Sequence, residues 1–200
     1  QAAGTAAAMA VKKQMEPREI LGCIEELQQE LLKDDCYIPF AVNRDRFDLA
    51  RQAKVTADGH FSGCEPEKAV NGVARTVGEE QNCWRAPAED SPVLTLSLAE
   101  RAPIREIQIT LDSNLSREIT PSINQAVLSR QKQGPPPELL KEYEVDILQG
   151  ERVTVHLKVQ SKGQRLQRIF LEKTEGDAVR IKAVSTYGSR EAAIFEVRIY

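Results

Sequence analysis

The sequence predicts a mainly β protein: an antiparallel sandwich preceded by a helical hairpin. Three observations carry that expectation. The chain changes character near Pro39, with helical patterning before it and none after it. From Leu49 onward, apolar residues recur with a period of two. Turn-forming residues separate these alternating runs, the pattern of short strands with one wet face per sheet.

The helical part comes first. Gln1 to Lys13 is rich in alanine, the best helix former. Pro17 suits a first helical position. From there Ile20, Leu21, Ile24, Leu27, Leu31 and Leu32 follow helical spacing, with Glu25, Glu26, Gln28, Gln29 and Glu30 on the other face. The domain reading is a helical segment over 1–42, a charged linker over 43–49 and a sandwich over 50–200. Two helices alone bury little, so the hairpin is expected to dock on the sandwich or to stay mobile.

The strands are read from alternation. Leu94, Leu96 and Leu98 form one such run; Ile107, Ile109 and Leu111 form the next. Tyr143, Val145 and Ile147 follow, then Val153, Val155, Leu157 and Val159. Val179, Ile181 and Ala183 continue the series, and Phe195, Val197 and Ile199 close it. Leu148 to Arg152 reads as a hairpin turn. Ser116 to Glu142 carries three consecutive prolines, which cannot donate to a ladder, and is expected to be a surface connection ended by Leu139 and Leu140.

Composition excludes several classes. The 27 Lys and Arg are balanced by 30 Asp and Glu, for a net charge of −3, so no basic footprint for nucleic acid is expected. No apolar stretch is long enough to span a bilayer. The first residues lack signal-peptide order, and the start reads as a cut inside a longer protein. The compartment stays open, a periplasmic or secreted parent being one option. Cys23, Cys36, Cys64 and Cys83 form no C-x-x-C pair and read as free or buried thiols, although Cys64 and Cys83 flank one loop region and could approach. No catalytic constellation stands out. His60 falls in a loop and His156 in a strand, and the acid pairs Glu79–Glu80 and Glu89–Asp90 read as solvated.

Two stretches carry resemblances. "ARQAKVTAD", "PEKAVNGVARTVGEEQNCWRA", "SPVLTLSLAERAPIREIQITLD" and "AIFEVRIY" occur in order over Ala50 to Tyr200. Together they resemble the galactose-binding-like jelly-roll sandwich of discoidin and coagulation-factor C-type domains. "QAAGTAAAMAV" and "LQQELLKDDCYIP" resemble the end of the flavin-binding domain in bacterial FAD-dependent oxidoreductases. The second resemblance implies that Gln1, Ala2, Ala3, Gly4 and Thr5 lie beside FAD in the intact parent. A helix start with unpaired N–H groups and small residues suits that role. This chain holds no Gly-rich dinucleotide fingerprint, so it is not expected to bind FAD alone.

In the sandwich, relatives bind ligands through loops at one end. The ligand-binding candidates are Trp84, Arg85, Asp112, Asn114, Arg117 and Tyr187. Trp84 is the only tryptophan and reads better as core than as a sugar platform. Tyr187 is the better candidate for an exposed aromatic. The resemblance also implies a calcium place at Asn71, Thr76 and Glu196, with Asn71 standing where an Asp is usual. The leading functional expectation is a non-catalytic accessory domain of an FAD-dependent oxidoreductase, partnered by the parent's own flavin domain. The alternatives are a carbohydrate- or surface-binding module and a purely structural domain.

Overall fold

A computed structural model of the chain describes residues 1–131 and 133–200. Lys132 lies outside the described residues and falls in the predicted surface connection. The N-terminal part holds α1 (Ala2–Lys13), a 3-10 segment (Pro17–Cys23) and α2 (Ile24–Lys33). Helix α1 ends at Gln14, in left-handed backbone with its N–H returned to Ala10 and Val11. Glu16 and Glu19 form a reciprocal capping box that starts the next segment. The sequence predicts an α-helix from about Ile20; the first turns there are 3-10, and the α-helical ladder begins only at Ile24. Leu27, Leu31 and Leu32 give α2 its buried stripe. Met9, Ala10, Ile20, Leu27 and Leu31 form a core of their own, apart from that of the sandwich.

Among the described residues the sandwich has seven strands, all antiparallel: β1 (Lys54–Ala57), β2 (Trp84–Pro87), β3 (Val93–Leu111), β4 (Leu140–Gln149), β5 (Arg152–Gln160), β6 (Leu166–Thr186) and β7 (Glu191–Ile199). Hydrogen bonding runs β2-β7-β3-β6-β4-β5, with β1 added on β3. Strands β3 and β6 are 19 and 21 residues long, and each serves two layers. In one layer β3 near Leu94 pairs with β1 and with β6 near Ile181, which continues to β4 and β5. In the other, β3 near Ile109 pairs with β7 and with β6 near Gln167, and β2 lies on β7. The register of the β3–β6 pair shifts between Ser97 and Ala102, where the sheet folds over.

Gly176 sits at that fold. A Cβ there would lie 2.5 Å from Ile147 Cγ2 and 3.0 Å from the Leu148 carbonyl oxygen, so the bend leaves no room for a side chain. The predicted β4–β5 hairpin is present, turning at Gly150 and Glu151. A single core fills the space between the layers, including Trp84, Leu94, Leu96, Ile107, Ile109, Tyr143, Val145, Ile181, Ile194 and Ile199.

Two departures from the predicted pattern matter for the site. A register shift opposite Thr110 and Leu111 breaks the alternation of β7. Ile194 therefore joins the main core, while Phe195 joins a separate cluster with Cys64 and Cys83. The segment predicted as a linker is anchored. Asn43 and Asp48 are buried; Asn43 Nδ2 donates to Asp48 at 2.7 Å, and Asp48 accepts from the N–H groups of Ala50 and Ile199. The helical arm docks on the sandwich, one of the two expected outcomes. Arg198 donates to the Leu32 carbonyl at 3.0 Å, Arg165 pairs with Asp35 at 2.8 Å, and Lys33 lies 3.6 Å from the Tyr200 ring centre.

Candidate binding site

A cavity of about 380 Å³ opens at one end of the sandwich. Its wall is made by Arg85 on β2, by Asp112, Asn114 and Leu115 beyond the end of β3, by Glu138 before β4, and by Phe195 on β7. The loop after the Asn71-Gly72 turn contributes Arg75, Thr76 and Gln81. The volume is in the range of small-ligand sites.

The wall is a hydrogen-bonded network. Arg85 donates to Asp112 and to Glu191, both at 2.9 Å. Burial works against the Arg85 charge; the Glu191 and Asp112 carboxylates outweigh it and raise the pKa. Asp112 also accepts the Asn114 backbone N–H at 2.7 Å, which holds Asn114 in left-handed backbone at φ 50°. The Asn114 amide then donates to Glu138 at 3.0 Å, and Arg117 donates to both Glu138 oxygens at 2.8 and 2.9 Å. Burial alone would raise the Glu138 pKa; hydrogen bonds from its own backbone, Asn114 and Arg117 lower it instead.

Three predicted ligand residues, Arg85, Asp112 and Asn114, thus meet in one cavity. Arg117 stands behind the wall and acts on it through Glu138. Trp84 is fully buried, its indole N–H donating to the Gly59 carbonyl at 3.0 Å, as expected of core. Tyr187 is half-buried against the main core and lines none of this cavity. Sequence reasoning missed Arg75, Gln81, Glu138 and Phe195. Only the bulge in β7, invisible as periodicity, turns Phe195 toward the cavity end.

The calcium expectation can be set against the side chains. Asn71 accepts the Val73 N–H and donates to Asn82; Thr76 donates to Gln81; Glu196 is paired with Arg198 at 2.8 Å. Beneath the Asn71-Gly72 turn lies a guanidinium. Arg51 donates to the Val70 carbonyl and lies 3.2 Å from where a Gly72 Cβ would be. Arg165 donates to the Ala74 carbonyl in the same loop. Among the described residues no group of three or more His, Cys, Asp or Glu gathers as metal ligands. This donor set fits calcium poorly, since arginines already meet the loop carbonyls and the acidic side chain.

The helix start predicted to face a flavin is open. Gln1, Ala2, Ala3 and Gly4 are exposed and Thr5 half-buried, no side chain caps the first turn, and a Cβ on Gly4 would meet nothing within 4 Å.

No family model matches the chain, and no curated protein matches it. Solved structures do. A fucose-binding module of Streptococcus pneumoniae superposes with a TM-score of 0.59 at 10% identity, over 80% of this chain and 99% of that one. The fold is that of the galactose-binding-like sandwiches. The lectin domain of lectinolysin complexed with Lewis B antigen gives 0.56 at 12% identity, over 76% and 95%. The family 32 carbohydrate-binding module of C. perfringens NanJ, solved with galactose, gives 0.53 at 13%, over 76% and 97%. The galactose-binding-like sandwich here is preceded by a docked helical arm, and among the described residues no helix is long and apolar enough to cross a membrane.

Proposed function

We propose that the domain is a carbohydrate-binding module whose ligand sits in the Arg85–Asp112–Asn114–Glu138 cavity. The observation that carries this reading is the cavity itself: a concave, polar, internally braced site at one end of a sandwich. Support comes from neighbours of the same fold whose solved complexes hold galactose and Lewis B antigen. Planar amide and guanidinium groups recognise sugar hydroxyls, and Leu115 and Phe195 give the cavity an apolar wall. The test is binding of the purified chain to an immobilised glycan set, followed by calorimetry on the best ligand. Asn114→Gly keeps the backbone at positive φ and removes the amide; it is expected to weaken binding by about tenfold, the worth of one well-placed polar contact. Binding to no glycan, or binding indifferent to Asn114→Gly, overturns the site.

A second reading is favoured by the docked arm. A targeting module hangs on a flexible tether, whereas here Leu32, Asp35 and Tyr37 are tied to the sandwich. In that reading the domain is a non-catalytic accessory of an FAD-dependent oxidoreductase, and the open start of α1 faces the flavin held by the parent's own flavin domain. Its test is the absorption spectrum of the purified full-length parent. A flavin spectrum supports it; a folded parent without flavin removes it.

A further inference from the structure

The cavity's hydrogen-bonding groups are unequally committed. Asp112 is engaged by Arg85 and the Asn114 N–H, and Glu138 by Arg117 and the Asn114 amide. Arg85 donates to Asp112 and Glu191 and lies against Cys83 Sγ, so its charge is paired. Arg75 differs. Among the described residues its guanidinium makes no ion pair and no side-chain hydrogen bond, and rests on the Tyr37 ring, 4.3 Å from its centre. The carboxylate near it, Asp35, pairs with Arg165 through one oxygen, and its other oxygen makes no hydrogen bond among the described residues. Burial and the neighbouring Arg165 charge depress the Arg75 pKa, and the Asp35 charge nearby offsets only part of that. Gln81 adds to the imbalance: its carbonyl accepts from Thr76, and its amide N–H groups have no partner among the described residues.

A guanidinium offers five N–H donors in a fixed fork and no acceptor. The uncommitted charge of this cavity is thus positive, beside acceptor capacity left on the Asn114 side-chain oxygen and the Ser116 hydroxyl. Neutral sugar hydroxyls would leave that charge uncompensated. A carboxylate or sulfate takes several donors at once and accepts Arg as a bidentate pair. The Tyr37 ring holds the fork in place, which lowers the entropy lost on binding.

Resting on the carbohydrate-binding reading above, we infer that the ligand is an acidic glycan, a sugar bearing a carboxylate or sulfate, whose anion pairs with Arg75 and is flanked by Gln81. The test uses an immobilised set of uronate, sialylated and sulfated oligosaccharides beside their neutral counterparts, then calorimetry on the best acidic ligand and its neutral form. The acidic form is expected to bind at least about tenfold more tightly, with affinity falling as salt rises. Arg75→Gln is expected to lower affinity for the acidic form by about tenfold and so abolish that preference, and Arg75→Lys to keep part of it. If Arg75→Gln does not fold, the Arg75→Lys loss and the salt dependence decide. Neutral ligands bound as well as acidic ones, or an acidic preference that survives Arg75→Gln, overturns this inference and leaves the carbohydrate-binding reading standing. Silence across the whole set overturns both.

Discussion

Arg198→Met tests how the arm is held to the sandwich. Arg198 and Glu196 are 4% and 3% exposed, and the guanidinium makes two bonds to one Glu196 oxygen and one to the Leu32 carbonyl. Among the described residues the other Glu196 oxygen makes no hydrogen bond. Removing Arg198 leaves a buried carboxylate without its counterion and a helix-end carbonyl without its donor. Breaking such a pair costs about 3–5 kcal/mol. At roughly 2–4 °C per kcal/mol for a chain of this size, the melting temperature should fall by about 6–20 °C. The loss should also depend on pH. Burial already raises the pKa of Glu196 and pushes Asp48 up to about 6, and Arg198 opposes both shifts. A carboxyl whose pKa is higher folded than unfolded favours the fold when protonated. That contribution is complete below the unfolded pKa and is lost as pH rises through the folded pKa. Without Arg198 both shifts grow, so the deficit of Arg198→Met should shrink on going from about pH 7.5 to about pH 5. Thermal melts of both proteins across that range are the assay. Glu196→Leu with Arg198→Met should recover most of the loss, because an apolar pair replaces a charged one at little cost. A single variant that melts with wild type, or a deficit that grows on acidification, refutes the reasoning.

Four further outcomes are expected. Gly176→Ala forces a methyl against Ile147 and the Leu148 carbonyl and should cost about 1–3 kcal/mol in urea unfolding, less so in an Ile147→Ala background. Calcium or a chelator should move the wild-type melting temperature by less than about a degree, whereas Arg51→Met, which strips the Val70 carbonyl of its donor, should lower stability by about 1–3 kcal/mol. A thiol reagent should modify the half-buried Cys23 and Cys36 of the native protein well before Cys64 and Cys83; burial pushes Cys83 up to about 11, and only denaturation should expose all four. Tyr37→Leu removes the ring under Arg75 and should weaken acidic-glycan binding by about two- to fivefold, the worth of a cation–π contact of 0.5–1 kcal/mol, with little change for neutral sugars.

The sheet was legible where one face of a strand is wet. Leu94 and Leu96, Tyr143 to Ile147, and Val179 to Ala183 alternate cleanly because their neighbours face solvent or a polar loop. The first half of β6 was not. There Phe170 is exposed while Ile169 and Leu171 are only partly buried, so the period blurs until Gly176 marks the fold in the sheet. Alternation misled at Phe195, since one bulged residue reverses the face of everything after it. In the site, Asp112 and Asn114 could be read because they end a strand together. Glu138 could not: it reaches Asn114 across 24 residues and a proline run, a meeting no spacing rule anticipates. Asn43 and Asp48 looked like linker because charge and amide usually mean solvent. They are buried because each supplies a partner the other needs.

The same absence of slack connects the arm to the cavity. Arg165 joins three pieces with one guanidinium: Asp35 after α2, the Ala74 carbonyl beside Arg75, and the Leu111 carbonyl at the end of β3. Tyr37, two residues beyond Asp35, carries the Arg75 fork. The residue that carries the Arg75 guanidinium therefore belongs to the arm, and those that position the acidic wall of the cavity belong to the sandwich. A shift of the arm would alter the donor side of the site and leave the Asp112–Arg85–Glu191 side in place. On the carbohydrate-binding reading, a docked arm of this kind would fix the orientation of a bound sugar relative to the helices. Such an arrangement suits a domain that presents its ligand to a neighbouring unit, and it unites the two proposed readings: binding of a glycan by the sandwich, and service to a partner domain through the helices.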